Sequence, residues 1–211
     1  MFTGIIETIG EVQKIDKADK NLQITIKAGK FFEDKKIGGS IAINGVCLTI
    51  TTLTPDTATF EIMEETLDNS TFKTLTENQK VNLEAGMRLG DRFDGHIVQG
   101  HTDTTAEILG RKEEKTQTIL RLKTPMNKIK YLAHKGSISI NGVSLTISKL
   151  TDEYFEVSLI PHTLENTNLG TLEQGQYVNL EFDTIAKHVE SLLNQKEGET
   201  KYFYLKDRGF I

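Results

Sequence analysis

The sequence has little of several features that mark particular classes of protein. Its 211 residues contain one cysteine (Cys47), three prolines and no tryptophan. A single cysteine excludes an intramolecular disulfide and a multi-cysteine zinc site, so we expect the reducing environment of the cytoplasm. No apolar run approaches the roughly 18 residues of a transmembrane helix. The opening MFTGIIETIGEV lacks the basic and long apolar regions of a signal peptide.

An excess of positive charge is also absent. The net charge is −5 and the pI is about 5.6, so we expect neither a nucleic-acid partner nor an anionic-membrane anchor. Hydrophobic residues make up 37% and charged residues 26% of the chain, which is typical of a globular protein and not of a disordered or fibrous one. The P-loop, the dinucleotide fingerprint G-x-G-x-x-G and the G-x-S-x-G elbow are all missing.

What the sequence does contain is an internal repeat. GSIAINGVCLTITTLT (39–54) aligns with GSISINGVSLTISKLT (136–151) at an offset of 97, with twelve of sixteen positions identical. The same offset relates ETLDNSTFKTLTENQKVNLE to HTLENTNLGTLEQGQYVNLE, and an offset of 96 relates FTGIIETIGEV to VQGHTDTTAEI. A unit of about 95 residues is a duplicated domain, because solenoid units run to about 20–50 residues. We expect two barrel domains, 1–96 and 97–183, followed by a helix and tail over 184–211.

Each unit has the pattern of a small β-barrel. LQITIK and TILRLK alternate apolar and polar residues, as half-buried strands do. Asn44-Gly45 and Asn141-Gly142 interrupt paired strand patterns, and Asn-Gly is a strong hairpin signal because both residues accept positive φ. About six short strands per unit predict an all-β fold of two tandem closed barrels. A short helix is expected within 124–135, with Pro125 at its first position.

The last part of the chain has no counterpart in the first repeat. In the segment 183–195, Ile185, Val189, Leu192 and Leu193 follow helical spacing, and Asp183 suits the N-cap. The narrow apolar stripe fits either a lid on the chain's own barrel or an oligomerisation helix. The sequence leaves both alternatives open.

The opening MFTGII, the paired NGVCLT and NGVSLT, EETLDN with HTLENT, and GHTDTTAEI together resemble the riboflavin synthase family over residues 1 to about 195. The resemblance implies two tandem six-stranded Greek-key barrels plus a C-terminal α-helix that holds a homotrimer. It also implies a transferase that converts two molecules of 6,7-dimethyl-8-ribityllumazine into riboflavin and 5-amino-6-ribitylaminouracil. No metal or redox cofactor takes part in the family's reaction. Lumazine synthase is a further partner that the resemblance suggests.

The resemblance also implies substrate contacts at matched positions of the two repeats. Those in the first repeat are Phe2, Gly4, Ile5, Ile6, Cys47, Leu48, Thr49, Glu61, Ile62, Met63, Glu64, Glu65 and Thr66. Those in the second are Gly100, His101, Thr102, Lys135, Ser144, Leu145, Thr146, Ser158, Leu159, Ile160, Pro161, His162 and Thr163. Threonine hydroxyls there can bond ribityl hydroxyls; the alternative is that these threonines only favour strands.

Three residues carry expected catalytic roles by resemblance: His101, Ser144 and Asp183. At matched positions the second repeat has His101 for Ile5 and Ser144 for Cys47, and likewise Lys135 for Gly38 and His162 for Glu65. The second repeat is therefore richer in groups that carry protons near neutrality, and we expect the two identical substrates to receive distinct roles there. Fixing two reactants at attack distance can itself contribute about 7–11 kcal/mol.

Several of these residues also have simpler explanations. Asp183 would serve as a helix N-cap, Phe2 would anchor the first strand, and Cys47 would line a pocket without acting as a nucleophile, since its duplicate is a serine. Asn141 stands where other family members carry Asp, which weakens any scheme that needs a carboxylate at that position. His96 and His101 are five residues apart and would face opposite sides of a strand, so no shared metal is expected.

Two rival functions remain open from the sequence. One is a non-catalytic lumazine- or flavin-binding protein of the same fold, similar to the bioluminescence antenna proteins, in which the second site has decayed. The other is a flavin reductase barrel, which is disfavoured because nothing suggests a nicotinamide site.

Overall fold

The computed structural model describes residues 1–18 and 21–193. These residues form two closed antiparallel barrels of six strands each, which confirms the predicted fold class. The first barrel consists of β1 (Thr8–Ala18), β2 (Asn21–Lys27), β3 (Ser40–Ile43), β4 (Val46–Leu53), β5 (Thr57–Ile62) and β6 (Lys80–Ala85). The second consists of β7 (Thr104–Glu113), β8 (Thr118–Lys123), β9 (Ser137–Ile140), β10 (Val143–Leu150), β11 (Tyr154–Leu159) and β12 (Tyr177–Phe182).

Both barrels close in the same strand order. The first runs β1-β2-β5-β4-β3-β6 and the second runs β7-β8-β11-β10-β9-β12. The period-2 pattern of the sequence explains the inner face: Leu22, Ile24 and Ile26 of β2 all point into the first core. Each barrel thus has its own hydrophobic centre, with Phe60 fully buried in one and Phe155 in the other.

The Asn-Gly hairpins have the predicted backbone conformation. Asn44 and Asn141 have φ of 47°, and Gly45 and Gly142 have φ of 78° and 82°. Positive φ at both positions gives the two-residue turn whose twist matches antiparallel strands. The two turns meet back to back: a Cβ added at Gly45 would lie 2.6 Å from the backbone nitrogen of Gly142. Only glycine allows the barrels to approach this closely.

A network of buried asparagines joins the barrels around these turns. Asn82 Nδ2 donates to the Asn141 carbonyl and Asn179 Nδ2 donates to the Asn44 carbonyl, both at 2.9 Å. Asn168 donates its backbone N–H to Asn82 Oδ1 at 2.6 Å and its side-chain amide to Asn44 Oδ1 at 3.0 Å. Because buried amides are satisfied only in one relative placement of the two barrels, the network fixes their pseudo-twofold arrangement.

The segments that precede the two barrels lie side by side between them. Phe2 and Val98 form an antiparallel bridge, with N–H to carbonyl distances of 2.8 and 3.1 Å. The N–H of His96 donates to the Thr3 carbonyl at 3.1 Å. Ile6, from the first repeat, packs against the core of the second barrel. The chain therefore crosses between the barrels before each one begins.

Short helices connect the strands. These are α1 (Glu64–Asn69), α2 (Pro161–Asn166) and the 3₁₀ turns Gly29–Phe32, Thr71–Thr74, Met126–Tyr131 and Asn168–Gly170. The short helix expected within 124–135 is confirmed as the 3₁₀ helix Met126–Tyr131. Its start is wrong by one residue, because Pro125 has an extended ψ of 101° and lies at the N-cap and not at the first helical position.

The C-terminal helix α3 (Thr184–Leu193) contacts the second barrel through polar side chains. Lys187 Nζ donates to Asp103 Oδ2 at 2.9 Å, and Glu190 bonds Lys130 and Tyr131. The Asp183 carboxylate accepts the Ile185 N–H at 2.9 Å, which confirms the N-cap role. The tail 196–211 and the side chain of Leu193 lie outside the described part. Within that part, no helix combines the length and hydropathy of a membrane span.

Candidate functional site

Two matched strand edges open at the junction of the barrels. Strand β4 pairs with β3 over residues 46–49 but with β5 only over 50–53, and β10 changes partner in the same way after residue 146. One edge of the first half of each strand is therefore not covered by its own barrel. Successive N–H groups along a β-strand point to opposite sides. The Ile50 N–H donates to the Gly39 carbonyl on the side of β3, so the Thr49 N–H faces the open edge.

Each open edge is approached by the segment that precedes the other barrel. Cys47 N–H donates to the Gly100 carbonyl at 2.9 Å, and Ser144 N–H donates to the Gly4 carbonyl at 2.8 Å. A Cβ at Gly100 would lie 2.4 Å from Cβ of Cys47, and one at Gly4 would lie 2.6 Å from Cβ of Ser144. Both glycines also have φ near 80°, so no other residue fits these two positions without strain.

This crossing corrects the expected grouping of site residues by repeat. Residues 100–102 lie beside Cys47 of the first barrel, and residues 4–6 lie beside Ser144 of the second. His101 thus lies beside the first-barrel edge, so the proton-carrying groups of the second repeat are divided between the two edges. That they give the two identical substrates distinct roles stays a prediction. A duplicated sequence shows which residues correspond; it does not show which barrel each one completes.

The remaining expected contacts lie around the same two edges. The runs 61–66 and 158–163 cover the ends of β5 and β11 and the starts of α1 and α2. Met63 and Ile160 are exposed there, at 70% and 56%, which is high for large apolar side chains. Glu61, Glu64, Glu65, Thr66, Ser158, Pro161, His162 and Thr163 accompany them.

Some expected contacts are buried in the cores. Leu48, Ile62 and Leu159 point into the barrels, so only their backbones can face a ligand. Leu145 packs against the second core from a half-buried position. Phe2 is fully buried between the barrels and packs with Val98 against Cys47. Phe2 can support the first-barrel site through its packing with Cys47, but its ring is fully buried and cannot contact a ligand.

One candidate site residue, His96, was not among those expected from the sequence. His96 Nδ1 lies 2.7 Å from Ser144 Oγ, and Cβ of Ser144 would be 3.1 Å from a side chain at Gly95. Burial lowers the pKa of His96 below its usual 6.5, and the nearby Asp183 carboxylate partly opposes that shift. The neutral imidazole is therefore favoured at pH 7 and can share the hydroxyl proton of Ser144.

The position of His96 explains why self-comparison missed it. The alignment at offset 96 pairs residues 2–12 with 98–108, and His96 lies ahead of the second of these segments. It therefore falls outside the aligned repeat, and no matched position was available for comparison. Ser144 and Asp183 are brought together through His96, whereas His101 is at the other edge of the same chain.

Comparison with known proteins gives the same division of the chain. The family model for the lumazine binding domain matches twice, over residues 3–86 and 99–183. Curated relatives named riboflavin synthase include those of Actinobacillus pleuropneumoniae, 42% identical, and Bacillus subtilis (strain 168), 41% identical, each over 100% of both chains. One from Mycobacterium bovis is 44% identical over 92% of this chain and 98% of its own.

The chain belongs to the riboflavin synthase family. Solved structures of LumP are also similar, with 30% identity over 86% of this chain and 99% of theirs. The TM-score is 0.79 for LumP complexed with 6,7-dimethyl-8-(1'-D-ribityl) lumazine and 0.81 for LumP complexed with riboflavin.

Within the riboflavin synthase fold of this chain, Lys135 has a strained backbone. Its φ is +67°, whereas Gly38 at the matched position has φ of +82°. Both residues donate their N–H at 2.9 Å to a strand carbonyl, Lys135 to Ile147 and Gly38 to Ile50. A lysine in the left-handed region costs about 1–2 kcal/mol relative to the usual helical region. Such strain commonly marks a functional position.

Proposed function

We propose that this protein is a riboflavin synthase that transfers four carbons between two molecules of 6,7-dimethyl-8-ribityllumazine. The products are riboflavin and 5-amino-6-ribitylaminouracil. The observation that carries the proposal is the presence, in one chain, of two open strand edges built alike around Cys47 and Ser144. A reaction between two copies of one molecule needs two similar sites, and the relatives' shared name supports the same activity.

In this proposal each edge holds one lumazine. The backbone at Thr49 and at Thr146 reads the uracil-like edge of the ring, and the threonine hydroxyls bond the ribityl chain. Exposed apolar side chains at Met63 and Ile160 cover the faces of the rings. Lys135 and His162 add polar contacts at the second-barrel edge, and His101 adds one at the first.

The chemistry asks for alignment and proton movement. The 7-methyl group of the lumazine is acidic because its anion delocalises into the electron-poor ring, so a modest base suffices. Neutral His96 accepts the proton of Ser144 as the hydroxyl oxygen adds to an unsaturated ring carbon of the lumazine, and the displaced π electron pair moves into the electron-poor ring. Asp183 stabilises the resulting imidazolium, which returns the proton to Ser144 when the C–O bond breaks again. His101, at the opposite edge, is placed to exchange the methyl proton of the other substrate.

We further propose that the two edges meet between subunits of a homotrimer. Within one chain, His101 and Ser144 belong to different edges, so the first barrel of one subunit must face the second barrel of its neighbour. Helix α3 supports this, because it binds its own barrel through Lys187 and Glu190 and leaves Ile185, Val189 and Leu192 exposed. The lid alternative would need those side chains covered by the barrel.

We also propose that the chain divides into 1–96, 97–183 and 184–211, that the protein is cytoplasmic, and that the trimer associates with lumazine synthase. The lone, half-buried Cys47 is compatible with a reducing compartment.

A second candidate function is a lumazine- or flavin-binding protein without catalysis. The similarity to LumP bound to lumazine and riboflavin favours it. Against a purely binding role, the second-barrel edge of this chain has Ser144, the close contact between Gly4 and Ser144, and His96 beside the Ser144 hydroxyl.

The deciding experiment incubates the purified protein with 6,7-dimethyl-8-ribityllumazine and follows flavin absorbance. The enzyme proposal expects one riboflavin and one pyrimidine for every two lumazines consumed. A stable lumazine complex that forms no flavin would support the binding protein instead.

A further inference from the structure

Two buried glutamates hold the crossing segments. Glu84 of β6 is 4% exposed; its Oε1 accepts the N–H and hydroxyl of Thr3 at 2.6 and 2.8 Å, and its Oε2 accepts the N–H of Gly4 at 3.0 Å. Glu181 of β12 is 2% exposed and accepts three consecutive N–H groups, from Gln99, Gly100 and His101, at 2.6, 2.9 and 2.8 Å.

The hydrogen bonds to Glu84 and Glu181 do more than provide acceptors for buried backbone N–H groups. Burial raises the pKa of both carboxyl groups, while the bonds from Thr3 and Gly4 to Glu84, and from residues 99–101 to Glu181, oppose that rise. A buried carboxylate that accepts three N–H or O–H bonds fixes its partners in direction as well as distance, since charge-assisted bonds are the stronger kind. The segments are therefore held rigidly.

Each glutamate acts on the barrel to which it does not belong. Glu84 is in the first barrel, but the segment it holds presents the Gly4 carbonyl to Ser144 of the second. Glu181 is in the second barrel, but its segment presents the Gly100 carbonyl to Cys47 of the first and places His101 there.

We propose that Glu84 and Glu181 are positioning residues that act crosswise, Glu84 shaping the ligand edge of the second barrel and Glu181 that of the first. This inference rests on the proposed function, because it assumes that both edges bind a lumazine or flavin. The carboxylates themselves are too deeply buried to touch a ligand. They act through the backbone of residues 3–4 and 99–101.

The chain provides its own reporter for a test. Cys47 is the sole thiol in the sequence and is half-buried at the first-barrel edge. Its rate of alkylation by iodoacetamide, measured at increasing riboflavin, gives the concentration that half-protects this edge. A second protein carrying Cys47→Ser and Ser144→Cys moves the thiol to the matched position of the second barrel and reports that edge in the same way.

The glutamate variants are then made in both reporter proteins. Glutamine keeps the shape of Glu181 but replaces one acceptor oxygen by an NH₂ that faces N–H donors, so Glu181→Gln should raise the half-protecting concentration about tenfold at Cys47. The same variant should change it less than about twofold for the relocated thiol of the second reporter protein. Glu84→Gln should give the reverse pattern. Glu153→Gln, at an exposed position of the second barrel, should change neither.

Each outcome decides one point. A crossed pattern supports the inference. Weakening in the glutamate's own barrel, or equal weakening at both edges, overturns it. If Gln variants do not fold, as judged by circular dichroism, Glu181→Asp and Glu84→Asp keep the charge but shorten the reach, and the same crossed pattern is required of them. Riboflavin that protects neither thiol before any glutamate is changed would instead overturn the proposed placement of the two ligands.

Discussion

At the scale of single residues, the contact between His96 and Ser144 separates two otherwise equivalent edges. Ser144 and Cys47 correspond in the repeat; each has a glycine against its Cβ and donates its N–H to the carbonyl of that glycine. Ser144 alone of this pair has an imidazole nitrogen at 2.7 Å in the described part of the chain. In the proposed mechanism this contact lets two copies of one substrate react differently, because it would activate the hydroxyl at the Ser144 edge.

Replacing His96 should affect turnover more than folding. His96→Gln removes the group that shares the Ser144 proton, so we expect kcat to fall by at least about tenfold, the order expected of general acid–base groups. His134→Gln, on the surface of the second barrel, is the matched control and should keep full activity. Steady-state kinetics of both variants would check this, and equal activity in all three proteins would contradict the assigned role.

The lowered pKa of His96 predicts a pH dependence with a defined sign. In the unfolded chain this histidine titrates near 6.5, whereas in the fold its pKa is lower because of burial. Between the folded pKa and about 6.5, the unfolded state binds more protons than the folded state. The free energy of unfolding therefore falls as the pH drops from about 6.5 towards the folded pKa. Turnover should fall over the same range because the neutral ring is needed. Urea unfolding and kcat at several pH values measure both, and His96→Gln should lack this contribution.

Replacing Lys135 tests whether its strained backbone conformation serves the function of the site. Lys135→Gly relieves a cost of about 1–2 kcal/mol but adds about 0.5–1 kcal/mol of backbone entropy to the unfolded state. We expect a net gain of about 0.5 kcal/mol in unfolding free energy, together with a clear loss of turnover. Asn78→Gly, whose φ is 68° and whose duplicate is Gly175, is the control. The Asn78→Gly variant should keep its activity. A Lys135→Gly variant as active as wild type would contradict a role for Lys135 in the site.

Single residues also show how far a sequence can be interpreted alone. The family resemblance predicted Ser144, Cys47 and their neighbours as site residues, and the repeat showed that these positions correspond. His96 was missed because it lies outside the segments that align between the two repeats. A residue defined only by a contact with a distant strand leaves no local pattern.

At the scale of elements, the barrels followed from period-2 strands and Asn-Gly turns, both of which are local signals. The crossing of the preceding segments did not, because the bonds from Gly4 to Ser144 and from Gly100 to Cys47 join distant parts of the chain. The 3₁₀ helix Met126–Tyr131 was predicted in place but begins one residue later than expected, because Pro125 has an extended ψ and lies at the N-cap. The crossing is what assigns His101 to the first-barrel edge.

The asparagine network should be symmetric in energy as well as in geometry. Asn82→Ala would leave the Asn141 carbonyl and the Asn168 N–H without these bonds, and Asn179→Ala would do the same to the carbonyl of Asn44 and the N–H of Thr71. We expect each to lower the unfolding free energy by about 2–4 kcal/mol.

The exposed Asn69→Ala is the control for that comparison, and it should cost well under about 1 kcal/mol. Urea unfolding of the three variants measures the difference. A large loss in only one of the two network variants would show that the barrels are not joined in the balanced way described above.

At the scale of the whole molecule, α3 is oriented with its apolar side away from its own barrel. Ile185, Val189 and Leu192 are 61%, 49% and 58% exposed, and together they form one stripe. A stripe of this kind on a surface helix is stable when another copy of the chain covers it. The sequence alone left a lid equally open, because it shows a stripe but not the side from which the helix is held.

Charging that stripe should separate the subunits. We expect Val189→Glu to convert the proposed homotrimer to monomer in sedimentation velocity and to reduce turnover, because in that proposal the two edges would no longer meet. Ser191→Glu places the same charge at another exposed position of α3 and should leave the trimer intact. A fully active monomer would show that one chain completes its own site.

The most direct measurement is the number of ligands that one chain binds. Calorimetric titration with riboflavin, or with a lumazine analogue that cannot react, should give two molecules bound per chain. The Cys47 and Ser144 edges should differ in affinity because only one has His96 beside it. Saturation at a single ligand per chain, with the second edge empty at any concentration, would contradict the account.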